Sequence, residues 1–192
     1  MSKLYKRSFI GMLVLAVLVT TLAPLLLQAG SPKTEDELIA DLASPKESVV
    51  INALQKIEKQ YPTTTKALPA IKKLLTDPRS KVQRKAARVL GAINADVDST
   101  DIQNICTLLK SADVGTVIDG LKALRGLKAQ SAIPEILPLL KNANKNVIRD
   151  SCRTLAVLGD SSLIPSIKPL LTYPDLGVQK DAADAISILK EK

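Results

Sequence analysis

Two interleaved ladders of apolar residues repeat along residues 34–190, every 31 to 34 residues. In the first ladder a Leu–Leu pair recurs, with Ile three residues before it and Leu or Ile six residues before it. These positions share one face of a helix, because successive helical residues turn by about 100°. The ladder predicts four helices, here called B helices, around the pairs at 74–75, 108–109, 139–140 and 170–171.

The second ladder lies between these pairs and predicts a second set of helices, the A helices. It starts at Val or Thr (residues 49, 82, 116, 147 and 178), with an apolar residue eight positions later each time. The residue four positions after each start is always small, which favours close approach of a neighbouring helix. These small residues are Ala53, Ala86, Gly120, Ser151 and Ala182.

Proline and glycine mark the predicted helix boundaries. Pro45, Pro78 and Pro174 each lie four residues before an A-helix start, where a missing N–H costs little. Glycine recurs near the A-to-B turns, at Gly91, Gly126 and Gly159. Pro138 and Pro169 lie deeper in B helices and are expected to bend them. With a B-like helix at about 35–43 and a closing A helix at about 175–190, about ten helices are predicted.

Charged residues on the last A helix are expected to make its outer side polar, as the end of a stack of repeats requires. They are Asp175, Lys180, Asp181, Asp184 and Lys190.

The two helix patterns resemble HEAT repeats, in particular the short HEAT-like repeats of phycobilisome-lyase-type proteins. Residues 82–91 (VQRKAARVLG) are similar to the first helix of that repeat, and residues 132–140 (AIPEILPLL) to the second. The resemblance implies an all-α fold over residues 31–192, a right-handed α-solenoid of antiparallel helix pairs, or armadillo-type superhelix. It also implies that the B helices line the concave face. Such a fold does not specify a function.

The first thirty residues have the pattern of a targeting segment. Lys3, Lys6 and Arg7 precede an uncharged, largely apolar run over residues 8–27. This indicates a secretory signal peptide, or an uncleaved membrane anchor because the run is long enough to span a bilayer. In either form we expect the rest of the chain in the periplasm or another extracytoplasmic compartment. Membrane contact is expected only through residues 8–27, if they are retained.

Composition excludes several kinds of chemistry. The chain has no histidine, which removes histidine-based catalysis and histidine metal ligands. Its two cysteines, Cys106 and Cys152, have no CxxC spacing and lie on helices a repeat apart, so we expect two buried free thiols. No paired carboxylates or phosphate-binding glycine loop are evident. We therefore expect no catalytic residues, no cofactor and no metal, and a protein that is not an enzyme.

Basic residues are the clearest candidates for partner binding. The net charge is +8, of which residues 1–30 supply +3, leaving 8 − 3 = +5 for the rest. Lys81, Arg84, Lys85 and Arg88 share one helix face, here called the basic ridge, although an ordinary solvated face would look the same. Lysines on the predicted B helices complete the candidate set. They are Lys72, Lys73, Lys110 and Lys141.

Three functions fit these patterns. The first is a protein-binding scaffold or adaptor of the cell envelope, using either the basic ridge or the B-helix groove. The second is an accessory subunit of an enzyme or of a cofactor-attachment, lyase-like system, which the resemblance suggests. The third is a structural envelope element held by residues 8–27. The expected partner is another protein, and an anionic surface is the alternative. Nucleic acid is disfavoured, since only Tyr61 and Tyr173 of the mature part could stack on bases.

Overall fold

The helices alternate between the two predicted types along residues 32–192, which are the residues that the computed structural model describes. The predicted signal or anchor segment lies outside them. The B helices are α1 (Glu35–Leu42), α3 (Leu68–Lys73), α5 (Ser99–Thr107), α7 (Ile133–Ile136) and α9 (Ile164–Ile167). The A helices are α2 (Glu47–Gln60), α4 (Ser80–Ala92), α6 (Val114–Gly126), α8 (Lys145–Leu158) and α10 (Leu176–Lys190).

Each B helix after α1 tightens into a 3-10 helix at its C-terminal end. These 3-10 segments are Leu74–Thr76, Leu108–Lys110, Leu137–Lys141 and Lys168–Thr172. Pro138 and Pro169 lie in the first turn of the last two segments, where a residue needs no N–H partner. The sequence predicted a bend at these prolines. The structure explains why they are tolerated: each lies where a new helical segment begins.

The turns between B and A helices are held by short polar side chains. Ser44, Asp77, Ser111 and Asn142 each accept a hydrogen bond from the backbone N–H two residues later, at 2.8 to 3.2 Å. This local bond favours a turn over continued helix. Three A helices are also capped by an Asp or Asn side chain, which accepts a hydrogen bond from a backbone N–H of the first helical turn. These caps are Asp113, Asn144 and Asp175.

One continuous core runs through the stack, between the layer of A helices and the layer of B helices. The small A-helix position is buried in every repeat, as predicted. Gly120 shows why it must be small: a Cβ atom there would lie 3.2 Å from side-chain carbons of both Leu108 and Leu109 on the preceding B-helix segment. Such contacts bury aliphatic side chains fully and supply most of the stabilisation.

The ends of α4 and α6 approach each other more closely than side chains would allow. A Cβ at Gly91 would lie 2.7 Å from the Cα of Ala123, and a Cβ at Gly126 would overlap the carbonyl oxygen of Gly91. The helix backbones are therefore in direct contact here. Glycine at the end of these A helices serves this contact, in addition to ending the helix.

Two expectations at the ends of the stack need correction. Asp175 and Asp181 do not face outward: Asp181 is buried against α8, and Asp175 accepts a hydrogen bond from Lys145 of α8 at 2.7 Å. At the other end, Val50 and not Val49 is the fully buried valine of α2. Asp175 and Asp181 turn toward α8 because basic side chains of α8 pair with both carboxylates. Val49 is less covered because α2 is the first A helix of the described residues and has an A-helix neighbour on one side only.

Residues Glu35–Lys192 thus form one compact unit, an all-α solenoid of HEAT/armadillo type with no strand in the described residues.

Candidate binding surfaces

The basic ridge on α4 is paired with acidic side chains of the neighbouring A helices. Lys85 contacts Glu58 of α2 at 2.6 Å, and Lys81 lies 3.6 Å from Glu47. On the other side, Arg84 reaches Asp113, the N-cap residue of α6, at 3.2 Å and Asp119 of α6 at 3.0 Å. Arg88 lies 3.7 Å from the same Asp119. The ridge therefore joins three consecutive A helices.

The same arrangement recurs two repeats later, between α8 and α10. Arg149 and Arg153, each 65 residues after Arg84 and Arg88, both contact Asp181, at 2.6 and 3.0 Å. Asp181 stands 62 residues after Asp119 and occupies the same helix position. We call this unit, two arginines on one A helix and the aspartate between them on the next, the arginine clamp.

A glycine lies next to each clamp, and at the second clamp it makes room for an arginine. Gly115 lies beside the Arg84 guanidinium, and Gly177 lies beneath Arg149, where an added Cβ would be 3.1 Å from the guanidinium carbon. The sequence pattern identified Arg84 and Arg88 but neither the arginines of the second clamp nor the aspartates that pair with them. The repeated Asp and Gly at matching positions were the signal that could have revealed them.

The lysines of the B helices divide into paired and unpaired residues. Lys72 contacts Asp101 of the next B helix at 2.9 Å, and Lys110 lies 3.9 Å from Glu135. Lys73 and Lys141 are exposed and make no ion pair with any described residue. Of the eight candidate residues, these two keep a charge free for a partner.

A groove of about 650 Å³ lies between the last two B helices, and we call it the C-terminal groove. Four prolines and three leucines form most of its wall, and the polar contribution comes from Lys141 and Ser166. The lining residues are Pro134, Leu137, Pro138, Leu140, Lys141, Pro165, Ser166, Pro169 and Leu170. No carboxylate lines it. Proline rings give the wall a rigid apolar surface without N–H donors.

A second groove, of about 580 Å³, lies at the other end of the same face, between α1 and the end of α3. Lys73 lines it, as do Asp77 and Arg79, which form a salt bridge of 2.7 Å. This guanidinium also donates to the carbonyl oxygens of Ser44 and Pro45, at 3.2 and 3.1 Å. The hydrogen bonds from Arg79 hold the pKa of the Asp77 carboxyl below its usual range.

The cysteines and the acidic side chains are the other described residues that bear on chemistry. Cys106 and Cys152 are free and buried, as predicted, and burial raises their pKa values to about 11 and about 12. Thiols with such pKa values stay protonated near neutral pH and are poor nucleophiles. Within residues 32–192 no group of acidic and cysteine side chains could hold a metal ion. None of the described helices is long and apolar enough to cross a membrane.

Neither a protein-family model nor a curated protein matches this sequence. Solved structures are similar to it in fold. A chain from the complex of CpcE and CpcF of phycocyanin lyase from Nostoc sp. PCC7120 aligns with a TM-score of 0.71 and 23% identity, over 86% of this chain and 68% of that chain. A designed armadillo repeat protein in complex with the peptide (KR)4 aligns with a TM-score of 0.63 and 18% identity, over 79% and 80%.

A third similar chain comes from structures of microtubule plus-end tracking by XMAP215, CLIP-170 and EB1. Its TM-score is 0.51, with 17% identity over 80% of this chain and 77% of that chain. At such low identities these likenesses establish the repeat fold and leave the function open.

Proposed function

We propose that this chain is a non-catalytic protein-binding scaffold of the cell envelope, and that its partner binds along the B-helix face as an extended segment. One observation carries the choice of face. The cations of the basic ridge, and Arg149 and Arg153 on α8, are engaged in ion pairs between repeats, whereas the B-helix face keeps two grooves and the unpaired Lys73 and Lys141.

The composition of the C-terminal groove supports a peptide-like occupant. Its volume, about 650 Å³, suits a few apolar side chains. Lys141 and Ser166 can each donate a hydrogen bond to a backbone carbonyl or a carboxylate at the rim. Solenoid neighbours bind such segments: one designed armadillo repeat protein is seen with a peptide. Because that peptide is basic and the groove here carries a lysine and no acid, we expect a neutral or acidic segment.

The experiment is a selection from a random peptide library on the full chain, followed by affinity measurements on variants. Ser166→Trp fills the groove, and Lys141→Glu reverses its charge. Both should weaken binding of a selected peptide by roughly tenfold or more, the size expected for residues at the centre of a binding site. The matched control is Lys122→Glu, since Lys122 is exposed on α6 and makes no ion pair with any described residue.

Two results would overturn the choice of groove. A selected peptide that binds both groove variants as tightly as the unaltered chain would place its site elsewhere. A peptide lost on Lys81→Glu, the most exposed ridge residue at 70%, would move the site to the basic ridge.

The envelope location rests on residues 1–30 and has its own test. The mass of the native protein distinguishes the two forms of the segment: a mature chain that begins near residue 30 indicates a cleaved signal, and a full-length chain indicates the anchor. Recovery of the full-length chain in the cytosolic fraction would contradict export in both forms.

A second candidate is an accessory subunit of a cofactor-attachment system. The observation that favours it is the TM-score of 0.71 with a chain of the phycocyanin lyase complex. A chromophore bound to the native purified protein, visible in its absorption spectrum, would support this role over the scaffold. A spectrum with protein absorption alone would leave the scaffold as the better proposal.

A further inference from the structure

The face of α10 that points away from α8 lacks the cover that every earlier repeat receives. Leu75, Leu109 and Leu140, the second leucines of their pairs, are 3 to 5% exposed because the next repeat packs over them. Leu171 occupies the same position in the last pair and is 38% exposed. On α10 itself, Leu176 is 79% exposed. The described stack therefore ends in a surface built like its internal junctions.

Repeat positions identify the side chains on this end face. Arg149 and Arg153 of α8 point toward α10, because both contact Asp181 there. Their equivalents on α10, 31 residues later, are Lys180 and Asp184, so these point away from α8. Cys152, which is fully buried between α8 and α10, corresponds to the exposed Ala183. We define the end face as Leu171, Leu176, Lys180, Ala183 and Asp184.

The end face carries one cation and one anion. Lys180 and Asp184 are both exposed, and neither forms an ion pair with a described residue. They stand four residues apart on one side of the helix. Between them lies Ala183, whose small side chain permits close approach of another helix.

Two copies of the end face are complementary to each other when they are related by a two-fold axis. If two α10 helices cross antiparallel with the axis near residue 182, residues whose numbers sum to 364 lie level with each other. Lys180 then lies level with the partner's Asp184, and the contact is made twice. Leu176 lies level with the C-terminal turn of the partner helix, and Ala183 lies close to the axis. A two-fold interface requires this reciprocity.

We propose that this chain forms a two-fold symmetric dimer in which α10 packs against α10 of a second copy. The dimer covers Leu171 and Leu176 and satisfies Lys180 and Asp184 with the partner's Asp184 and the partner's Lys180. A second copy fits better than an unrelated partner because both charges needed are already present, at matching levels, on the same helix. Because the contact is reciprocal, it closes after two copies and does not extend into a fibre.

Charge reversal tests the pairing directly. In Lys180→Glu, two acidic side chains face each other twice, and in Asp184→Lys, two basic ones do. Each variant alone should dimerise at least tenfold more weakly than the unaltered chain, in sedimentation or light-scattering measurements over a dilution series. Mixing the two variants restores opposite charges at both contacts, so the mixture should recover the dimer. Both residues are exposed, so the single chains should retain their helical content and melting temperature.

A cysteine cross-link tests the position of the axis. Ala183→Cys should form an interchain disulfide under mild oxidation, because the two thiols would face each other near the axis. The native cysteines give little background, since both are buried. The matched control is Ala92→Cys, an exposed alanine at the end of α4.

Several results would overturn the dimer. One is that the unaltered chain is monomeric across the dilution series. Another is that the mixture of the two charge-reversed variants dimerises no better than either variant alone. A third is that Ala183→Cys cross-links no faster than Ala92→Cys. A monomer would leave the peptide-binding proposal untouched, because the grooves lie on the B-helix face and do not include α10.

Discussion

At the scale of single residues, glycine sets how closely two A helices pack. Gly91 and Gly126 place the backbones of α4 and α6 in contact, where an added Cβ would meet backbone atoms. Backbone cannot move aside as a flexible side chain can, so the repeats themselves would have to separate. The two residues therefore fix the local spacing of the solenoid.

We expect Gly126→Ala to lower the free energy of unfolding by about 1–3 kcal/mol, since overpacking against backbone outweighs the better helix propensity of alanine. Urea denaturation followed by circular dichroism measures the change. Gly115→Ala is the control, because a Cβ there lies 3.4 Å from the nearest atom, an ordinary contact. Equal effects of the two substitutions would show that the close approach is not what requires glycine.

A second residue-scale expectation concerns Asp77, whose folded pKa is lowered chiefly by the Arg79 side chain. A lowered folded pKa means that ionised Asp77 stabilises the fold above the unfolded pKa of about 3.9, and that this stabilisation is lost as pH falls through the folded pKa. Asp77→Asn should therefore remove part of the acid-induced loss of stability. The measurement is the urea midpoint of both proteins between pH 6 and pH 2.5.

In that comparison the two midpoints should differ most at pH 6 and converge in acid. A constant difference across the whole range would mean that the carboxylate charge contributes nothing at this turn.

At the scale of helices, the arginine clamps give the solenoid a period of two repeats in addition to its single-repeat period. The α4–α6 and α8–α10 junctions each hold two arginines on one aspartate, whereas at the intervening α6–α8 junction Arg125 lies 3.8 Å from Asp150. The clamps are therefore one feature that distinguishes these junctions, beside the glycine contact between α4 and α6. They also engage cations that would otherwise be free to bind a partner.

Asp181→Asn should cost about 1.5–3 kcal/mol of unfolding free energy, because Asp181 is only 6% exposed and accepts charged hydrogen bonds from both Arg149 and Arg153. Asp119→Asn should cost less, since Arg88 lies 3.7 Å away there. Asp96→Asn, at an exposed turn, is the control and should stay within about 0.5 kcal/mol. Denaturant titrations of all three variants measure these changes in unfolding free energy. An Asp181→Asn change as small as that of the control would mean that the clamp contributes no stability.

At the scale of the whole molecule, each helix pair contacts only its neighbours in the chain, so stability should vary along the stack. Helices α4 to α8 are covered on both sides, whereas α1 and α10 are each covered on one side within the described residues. The dimer proposed above would remove this asymmetry at the α10 end.

Amide hydrogen exchange measured by mass spectrometry should therefore show the slowest exchange in α4, α6 and α8 and the fastest in α1. In Lys180→Glu, the variant expected to be monomeric, α10 should exchange faster than in the unaltered chain while α6 is unchanged. Uniform exchange along the chain would contradict a stability that depends on neighbouring repeats.

The sequence alone determined the repeat and the order of the helices. It also determined where the first and last helices of the described stack begin and end, to within a few residues. These features depend on local patterns: apolar residues at helical spacing, Pro and Asx at turns, and a small residue where helices cross. Each pattern repeats four or five times, so errors at one position are corrected by the others. The departures occurred at Val49, in the first A helix, which has one A-helix neighbour, and at Asp175 and Asp181, which pair with cations of α8.

Only the tertiary structure decided which surface remains free. Arg84 and Asp119 stand 35 residues apart, and whether they meet depends on how one A helix sits against the next, which no single helix pattern contains. The same holds for the groove between α7 and α9 and for the uncovered Leu171. A helix pattern predicts which side of a helix is buried, but the side chains that cover this side belong to other repeats. The positions of those side chains decide whether a cation forms an ion pair within the chain or remains free to bind a partner.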